Sequence, residues 1–147
     1  MTRPRILILC TGNSARSQMA EGLLRHLGAG RWEVFSAGIR PTAVRPEAIA
    51  ALQECGIDIS RHRSKSLDEF AGQEFDYVIT VCDQAKESCP VFPARTQRLH
   101  WSIPDPAAVA GSQEERMAAF RAARDDLQQR VQDFVRSISG DGFGLRD

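Results

Sequence analysis

Cys10-Thr11-Gly12-Asn13-Ser14-Ala15-Arg16-Ser17 follows the apolar run Ile6-Leu7-Ile8-Leu9 and precedes a helical pattern, so a thiol stands in a strand-to-helix turn with an arginine six positions on. That arrangement puts a nucleophile inside an anion cradle. A strand ending at Cys10 delivers it to the carboxyl edge of an open α/β sheet, where ligands bind. The backbone N–H groups from Thr11 through Gly12, Asn13, Ser14, Ala15 and Arg16 to Ser17 are expected to turn inward around one oxyanion, beside the positive end of the helix. Arg16 adds a guanidinium fork for two oxygens, and the Ser17 hydroxyl can hydrogen-bond the Cys10 sulfur. Gly12 and Asn13 accept the left-handed backbone of a tight loop. An ordinary thiol, with pKa about 8.5, is mostly protonated at neutral pH, whereas these neighbours are expected to bring Cys10 to roughly 6 or lower. A lone cysteine at a strand end would read as packing; Gly12, Asn13, Arg16 and Ser17 together read as a site. The loop lacks the Gly-Lys-Ser/Thr ending of a nucleotide-binding loop.

Two further thiols and one carboxylate fall where the same edge of the sheet should lie. The run Tyr77-Val78-Ile79-Thr80-Val81 ends in Cys82. Adjacent strands lie about 4.8 Å apart and a disulfide accepts α-carbon separations of about 4.4 to 6.8 Å, so Cys10 and Cys82 could meet if their strands are neighbours. Cys89 closes the segment Cys82-Asp83-Gln84-Ala85-Lys86-Glu87-Ser88-Cys89-Pro90, which reads as a short helix with Asp83 at its start. Seven helical residues rise about 10.5 Å, so a Cys82–Cys89 bond requires that helix to unwind, which makes it a candidate redox switch. The spacing does not suit zinc, and plain packing cysteines are the remaining alternative. Asp105, between Pro104 and Pro106 after a fourth strand, could protonate a departing oxygen, though the same residue is an ordinary turn former.

The elements that must hold these groups recur as Ile6 to Leu9, Val34 to Ala37, Tyr77 to Val81 and Arg98 to Trp101, with helical patterns between several of them. This βαβ rhythm predicts an α/β domain with a parallel sheet. The first helix presents Met19, Leu23, Leu24 and Leu27 and stops near Gly28 as a C-terminal signal. A second runs from Pro46 to near Gly56 and places Cys55 on its apolar face with Ala48, Ile49 and Leu52, a structural role. Ser112 and Glu115 form a capping box for a last helix with a stripe through Phe120, Leu127, Val131, Phe134 and Ile138.

The 147 residues predict one domain, residues 1–138, with 139–147 as a frayed tail. Nineteen basic against nineteen acidic residues show no footprint for nucleic acid or an anionic membrane. No run suits a signal peptide or membrane span, so the cytoplasm is expected, with reduced thiols.

The loop, together with Ser36-Ala37-Gly38, Gly56-Ile57-Asp58-Ile59-Ser60, the C-x6-C segment and His100-Trp101 leading to Asp105-Pro106, resembles the low-molecular-weight protein tyrosine phosphatases and, within that fold, the arsenate reductases that use three cysteines. The resemblance spans nearly the whole chain. It implies a single three-layer domain whose four-stranded parallel sheet has the order 2-1-3-4. It also implies arsenate as substrate, phosphate or sulfate as look-alike ligands, and a relay through Cys10, Cys82 and Cys89. No bound cofactor is implied, only an external dithiol reductant: thioredoxin, or a glutathione and glutaredoxin system as the alternative. The phosphatases usually follow Asp-Pro with two tyrosines, where Ala107 and Ala108 stand here. Some of the reductases carry a second loop cysteine where Ala15 stands. Some bind potassium through positions matching Asn13, Glu21, Ser36, Ser64 and residue 65. With Lys65 at that last position, either its ammonium replaces the cation or it is a solvated surface side chain. The rival readings are a phosphomonoesterase using Cys10, Arg16 and Asp105, and a non-catalytic oxyanion sensor.

Overall fold

The structure, a computed structural model, describes residues 3–83, 85, 92–93 and 95–139. Four strands, β1 (Arg5–Cys10), β2 (Glu33–Gly38), β3 (Tyr77–Thr80) and β4 (Gln97–His100), form one parallel sheet in the order β2-β1-β3-β4. β1 is central and buried on both faces: Ile6, Leu7, Ile8 and Leu9 are at most 1 % exposed, which is why it reads as an unbroken apolar run rather than an alternation. The register pairs Cys10 with Gly38 of β2 and Leu9 with Thr80 of β3.

Among the described residues, the sheet is covered by the helices α1 (Arg16–Gly28), α2 (Pro46–Gln53) and α3 (Gln113–Ser139). α1 lies on β1 and β2 and packs against both other helices. α3 reaches the far half of the sheet, where the Phe134 ring meets Tyr77 edge-on at 5.1 Å and Trp101 at 6.1 Å. Its start is the expected capping box: Glu115 N–H donates to Ser112 Oγ at 3.1 Å, and Ser112 N–H donates to Glu115 Oε1 at 2.8 Å. Phe120, Leu127, Val131 and Phe134 are buried along it.

One sequence expectation changes here. Cys55 is exposed rather than in the core, because α2 ends at Gln53 and the chain turns through Gly56 at φ 77°, so the helical periodicity never carries Cys55 to the buried face. α1 ends at Gly28 as expected; Ala29 takes the left-handed conformation, at φ 49°, and Gly28 lies under the Trp32 indole, where a Cβ would come within 2.4 Å of Nε1. Residues 140–147, most of the expected tail, lie outside the described residues.

Candidate active site

The order β2-β1-β3-β4 reverses direction between β1 and β3, and the carboxyl ends of those two strands flank the crevice where open α/β sheets bind ligands. Cys10 ends β1, Cys82 follows β3 by two residues, and the segment from Ser102 to Asp105 follows β4. A cleft of about 340 Å³ opens there, lined by Thr11, Arg16, Cys82, Asp83, Ser102, Ile103, Pro104 and Asp105.

The loop is built around Asn13, which is fully buried at φ 51°. Its amide nitrogen donates to Ser17 Oγ at 2.8 Å and to Ser36 Oγ at 2.9 Å. Its amide oxygen accepts from Gln18 Nε2 at 3.0 Å and from the Lys65 N–H at 2.8 Å, and Ser64 Oγ donates to its carbonyl at 2.6 Å. The Ser17 hydroxyl oxygen thus helps to hold the loop by accepting from Asn13. Only Asn13 of the two expected loop residues is left-handed; Gly12 is not, and its want of a side chain keeps it clear of Thr42 Oγ1, which a Cβ would approach to 3.2 Å. Gly38 has the sharper requirement, since a Cβ there would lie 2.7 Å from the Thr11 carbonyl oxygen and 2.8 Å from the Asn13 nitrogen. β2 thus packs flush against the loop.

α1 begins under this loop at Ala15, with no side-chain cap and no acidic residue in its first turn, so its leading N–H groups face the site without an internal acceptor side chain. The other two helices carry Glu47, or Glu114 and Glu115, at that place. Arg16 spans the cleft: Nη1 donates to the Ile103 carbonyl at 2.9 Å, and Nη2 lies 3.7 Å from Asp105 Oδ2. Asp105 Oδ1 accepts from the Ala107 N–H at 3.0 Å, capping the short 3₁₀ turn Pro106–Ala108. The carboxylate expected at the leaving-group side is therefore at the rim and beside the arginine.

Cys10 and Cys82 meet. The Cys10 thiol hydrogen-bonds the Cys82 sulfur, the largest influence on both. Cys82 is brought down to about 5 by that bond, by the Thr11 hydroxyl 3.2 Å away and by the Ala85 N–H at 3.4 Å, against the opposing effect of burial. Cys10 moves the other way: its bond to Cys82 and its burial raise it above an ordinary thiol, against the lowering effect of Arg16 and the Thr11 N–H. The expectation of a Cys10 near 6 on its own account is thus replaced by a pair holding one proton, because the second thiol is the nearest partner of the first. Cys89 and residues 86–90 of the expected switch helix lie outside the described residues; Asp83 and Ala85 have helical backbone.

The Lys65 side chain is 14 % exposed, with its ammonium 4.0 Å from Glu21 Oε1 and donating to the Arg63 carbonyl at 3.1 Å. It is not a solvated surface lysine. Glu21 Oε1 also accepts from Ser36 Oγ at 2.6 Å, which links this charge cluster to Asn13. Among the described residues no group of three or more His, Cys, Asp or Glu side chains is placed to hold a metal, and no helix is long and apolar enough to cross a membrane.

With the loop, the strand order and the cleft in place, the chain matches the low molecular weight phosphotyrosine protein phosphatase family over residues 5–142. The chain belongs to that family. Within the low-molecular-weight phosphatase family it is 43 % identical over 135 residues to an arsenate reductase of Halalkalibacterium halodurans, covering 92 % of this chain and 97 % of the relative. Its fold superposes on an arsenate reductase in the phosphate binding state with a TM-score of 0.75 and 35 % identity, over 92 % of this chain and 99 % of that one. A low-molecular-weight tyrosine phosphatase from T. tengcongensis shares the fold at a TM-score of 0.77 with 26 % identity, over 91 % of this chain and 99 % of that one.

Sequence reasoning missed three contacts of the site: Thr11 with Cys82, the Ile103 carbonyl with Arg16, and the engagement of Asp83 by His100 and Ser102. Each joins residues 17 to 87 positions apart, and no local pattern carries such pairings.

Proposed function

We propose that this protein reduces arsenate to arsenite by a thiol relay. The observation that carries the reading is the Cys10–Cys82 pair at the floor of an uncapped helix N-terminus. A phosphatase of this fold needs one thiol and water, whereas two thiols in contact can supply two electrons. Arsenic(V) accepts them, while phosphorus(V) is not reduced by thiols in enzymes. The identity to relatives named arsenate reductases supports the same substrate.

Arsenate binds to the loop N–H groups and Arg16, and the Cys10 thiolate forms a sulfur–arsenic bond as a hydroxyl leaves as water with a proton from Asp105. For Cys10 to attack, the shared proton passes to the bound oxyanion, which leaves Cys82 as a thiolate, with Arg16 and the Thr11 N–H supporting the Cys10 charge. The Cys82 thiolate then attacks the Cys10 sulfur. A disulfide forms, the sulfur–arsenic bond breaks with its electron pair left on arsenic, and arsenite departs. Cys89 attacks Cys82, frees the Cys10 thiolate and leaves a Cys82–Cys89 disulfide, which an external dithiol, thioredoxin, reduces. Lys65 holds the place that a potassium ion takes in other reductases, its ammonium facing the buried Glu21. The cytoplasm supplies both the reductant and the reduced thiols.

A coupled assay with thioredoxin, its reductase and NADPH tests the reading. Arsenate drives NADPH oxidation and phosphate does not, Cys10→Ser abolishes the signal, and Cys89→Ser stops after one turnover with a trapped Cys10–Cys82 disulfide. Rapid hydrolysis of an aryl phosphate, unaffected by loss of Cys82 and without arsenate reduction, would overturn it in favour of a phosphomonoesterase.

A further inference from the structure

Asp83 is the first residue after Cys82, and its carboxylate is turned onto the end of β4. His100 Nε2 lies 2.8 Å from Asp83 Oδ1, and Ser102 Oγ donates to the same oxygen at 3.1 Å. The other ring nitrogen, Nδ1, is 2.7 Å from Thr80 Oγ1, and Thr80 faces His100 across the β3–β4 ladder. With the threonine hydroxyl donating to Nδ1, the ring carries its hydrogen on Nε2 and donates it to Asp83. A row of three side chains thus fastens the residue next to Cys82 to the carboxyl ends of two strands.

That fastening adds little stability, because the Asp83 side chain is 73 % exposed and a hydrogen bond there competes with water. Its consequence is geometric. Besides the Cys10 thiol, Thr11 Oγ1 and the Ala85 N–H hold the Cys82 sulfur, and both contacts depend on how the turn after β3 is set. Among the described residues, Asp83 ties that turn to the end of β4 through His100 and Ser102. Two donors on its carboxylate also spread a negative charge that would otherwise oppose a thiolate one residue away.

We propose that Asp83, clasped by His100 and Ser102, is a positioning residue that holds the Cys82 sulfur in line for attack on Cys10. The inference rests on the relay described above and adds residues that neither bind the oxyanion nor exchange electrons.

The test uses the full chain carrying Cys89→Ser, mixed with arsenate without reductant, quenched at intervals and assayed by mass spectrometry for the Cys10–Cys82 disulfide. Asp83→Ala and His100→Ala each slow its formation about tenfold, as expected for a displaced reacting group. The double variant is no slower than either single one, since both break the same clasp. Asp83→Asn, which keeps an acceptor oxygen, recovers most of the rate, and none of the variants loses phosphate affinity in calorimetry. Parent-like rates in the single variants, multiplying effects in the double variant, or a parallel loss of phosphate affinity would each overturn the proposal. If the parent chain itself forms no disulfide with arsenate, the relay fails rather than the clasp. Iodoacetamide labelling of Cys82 then decides: His100→Ala raises its pH midpoint if the clasp positions the sulfur, and an unchanged midpoint overturns it.

Discussion

Thr11 Oγ1 lies 3.2 Å from the sulfur of Cys82, so a side chain of the anion loop steadies a thiol delivered by a different strand. Hydrogen bonding to a thiolate favours the charged form and lowers its pKa. Thr11→Val keeps the shape and removes the hydroxyl, so the titration midpoint of Cys82 moves up from about 5 by about one unit. Thiolate absorbance in the ultraviolet followed against pH reads the shift; at a pH between the two midpoints the variant carries less thiolate than the parent.

Cys82 raises Cys10 more than any other neighbour does. Cys82→Ala removes that partner and leaves Arg16 and the Thr11 N–H in place, so the Cys10 midpoint falls. The variant therefore holds more Cys10 thiolate at neutral pH while losing the ability to release arsenite. Faster alkylation of Cys10 together with no arsenite product is the expected pair of results.

Asp105 stands 3.7 Å from the Arg16 guanidinium, where it competes with an incoming anion for that charge. Asp105→Asn lowers the rate of the first chemical step about 10²-fold if the carboxyl supplies a proton to the departing oxygen. Calorimetry with phosphate shows equal or tighter binding. Weaker phosphate binding would instead make Asp105 part of the cradle.

Gly38 touches no reacting atom, yet a Cβ there would drive into the Thr11 carbonyl and the Asn13 nitrogen, both backbone. Gly38→Ala costs about 1–3 kcal/mol in denaturant unfolding, as overpacking does, and weakens phosphate binding because the loop must shift.

Lys65 faces Glu21, whose side chain is only 6 % exposed. Lys65→Met leaves that carboxylate with Arg25 and Ser36 and costs about 1 kcal/mol or more. Added potassium then raises the unfolding temperature of the variant but not of the parent. A marked potassium response of the unmodified protein would count against replacement of the cation by the ammonium.

Much of the fold was legible because its signals are local. The apolar run through Ile8, the turn chemistry at Pro46 and the Ser112–Glu115 capping box each declare their element within a few residues. Cys55 was misread for the same reason in reverse: periodicity cannot see that α2 stops at Gln53. Gly12 does not take the left-handed backbone expected of it, since Asn13 alone of the pair adopts that conformation.

The amino-acid sequence by itself determined that a thiol, an arginine and a strand-to-helix turn form one local unit, because strand, loop and helix follow one another along the chain. Tertiary structure alone decided that Cys10 shares its proton with a second thiol. Cys10 and Cys82 are 72 residues apart and become one titrating pair only because β1 and β3 are neighbours in the sheet. In a buried site with few polar partners, the nearest hydrogen bond governs where the proton resides.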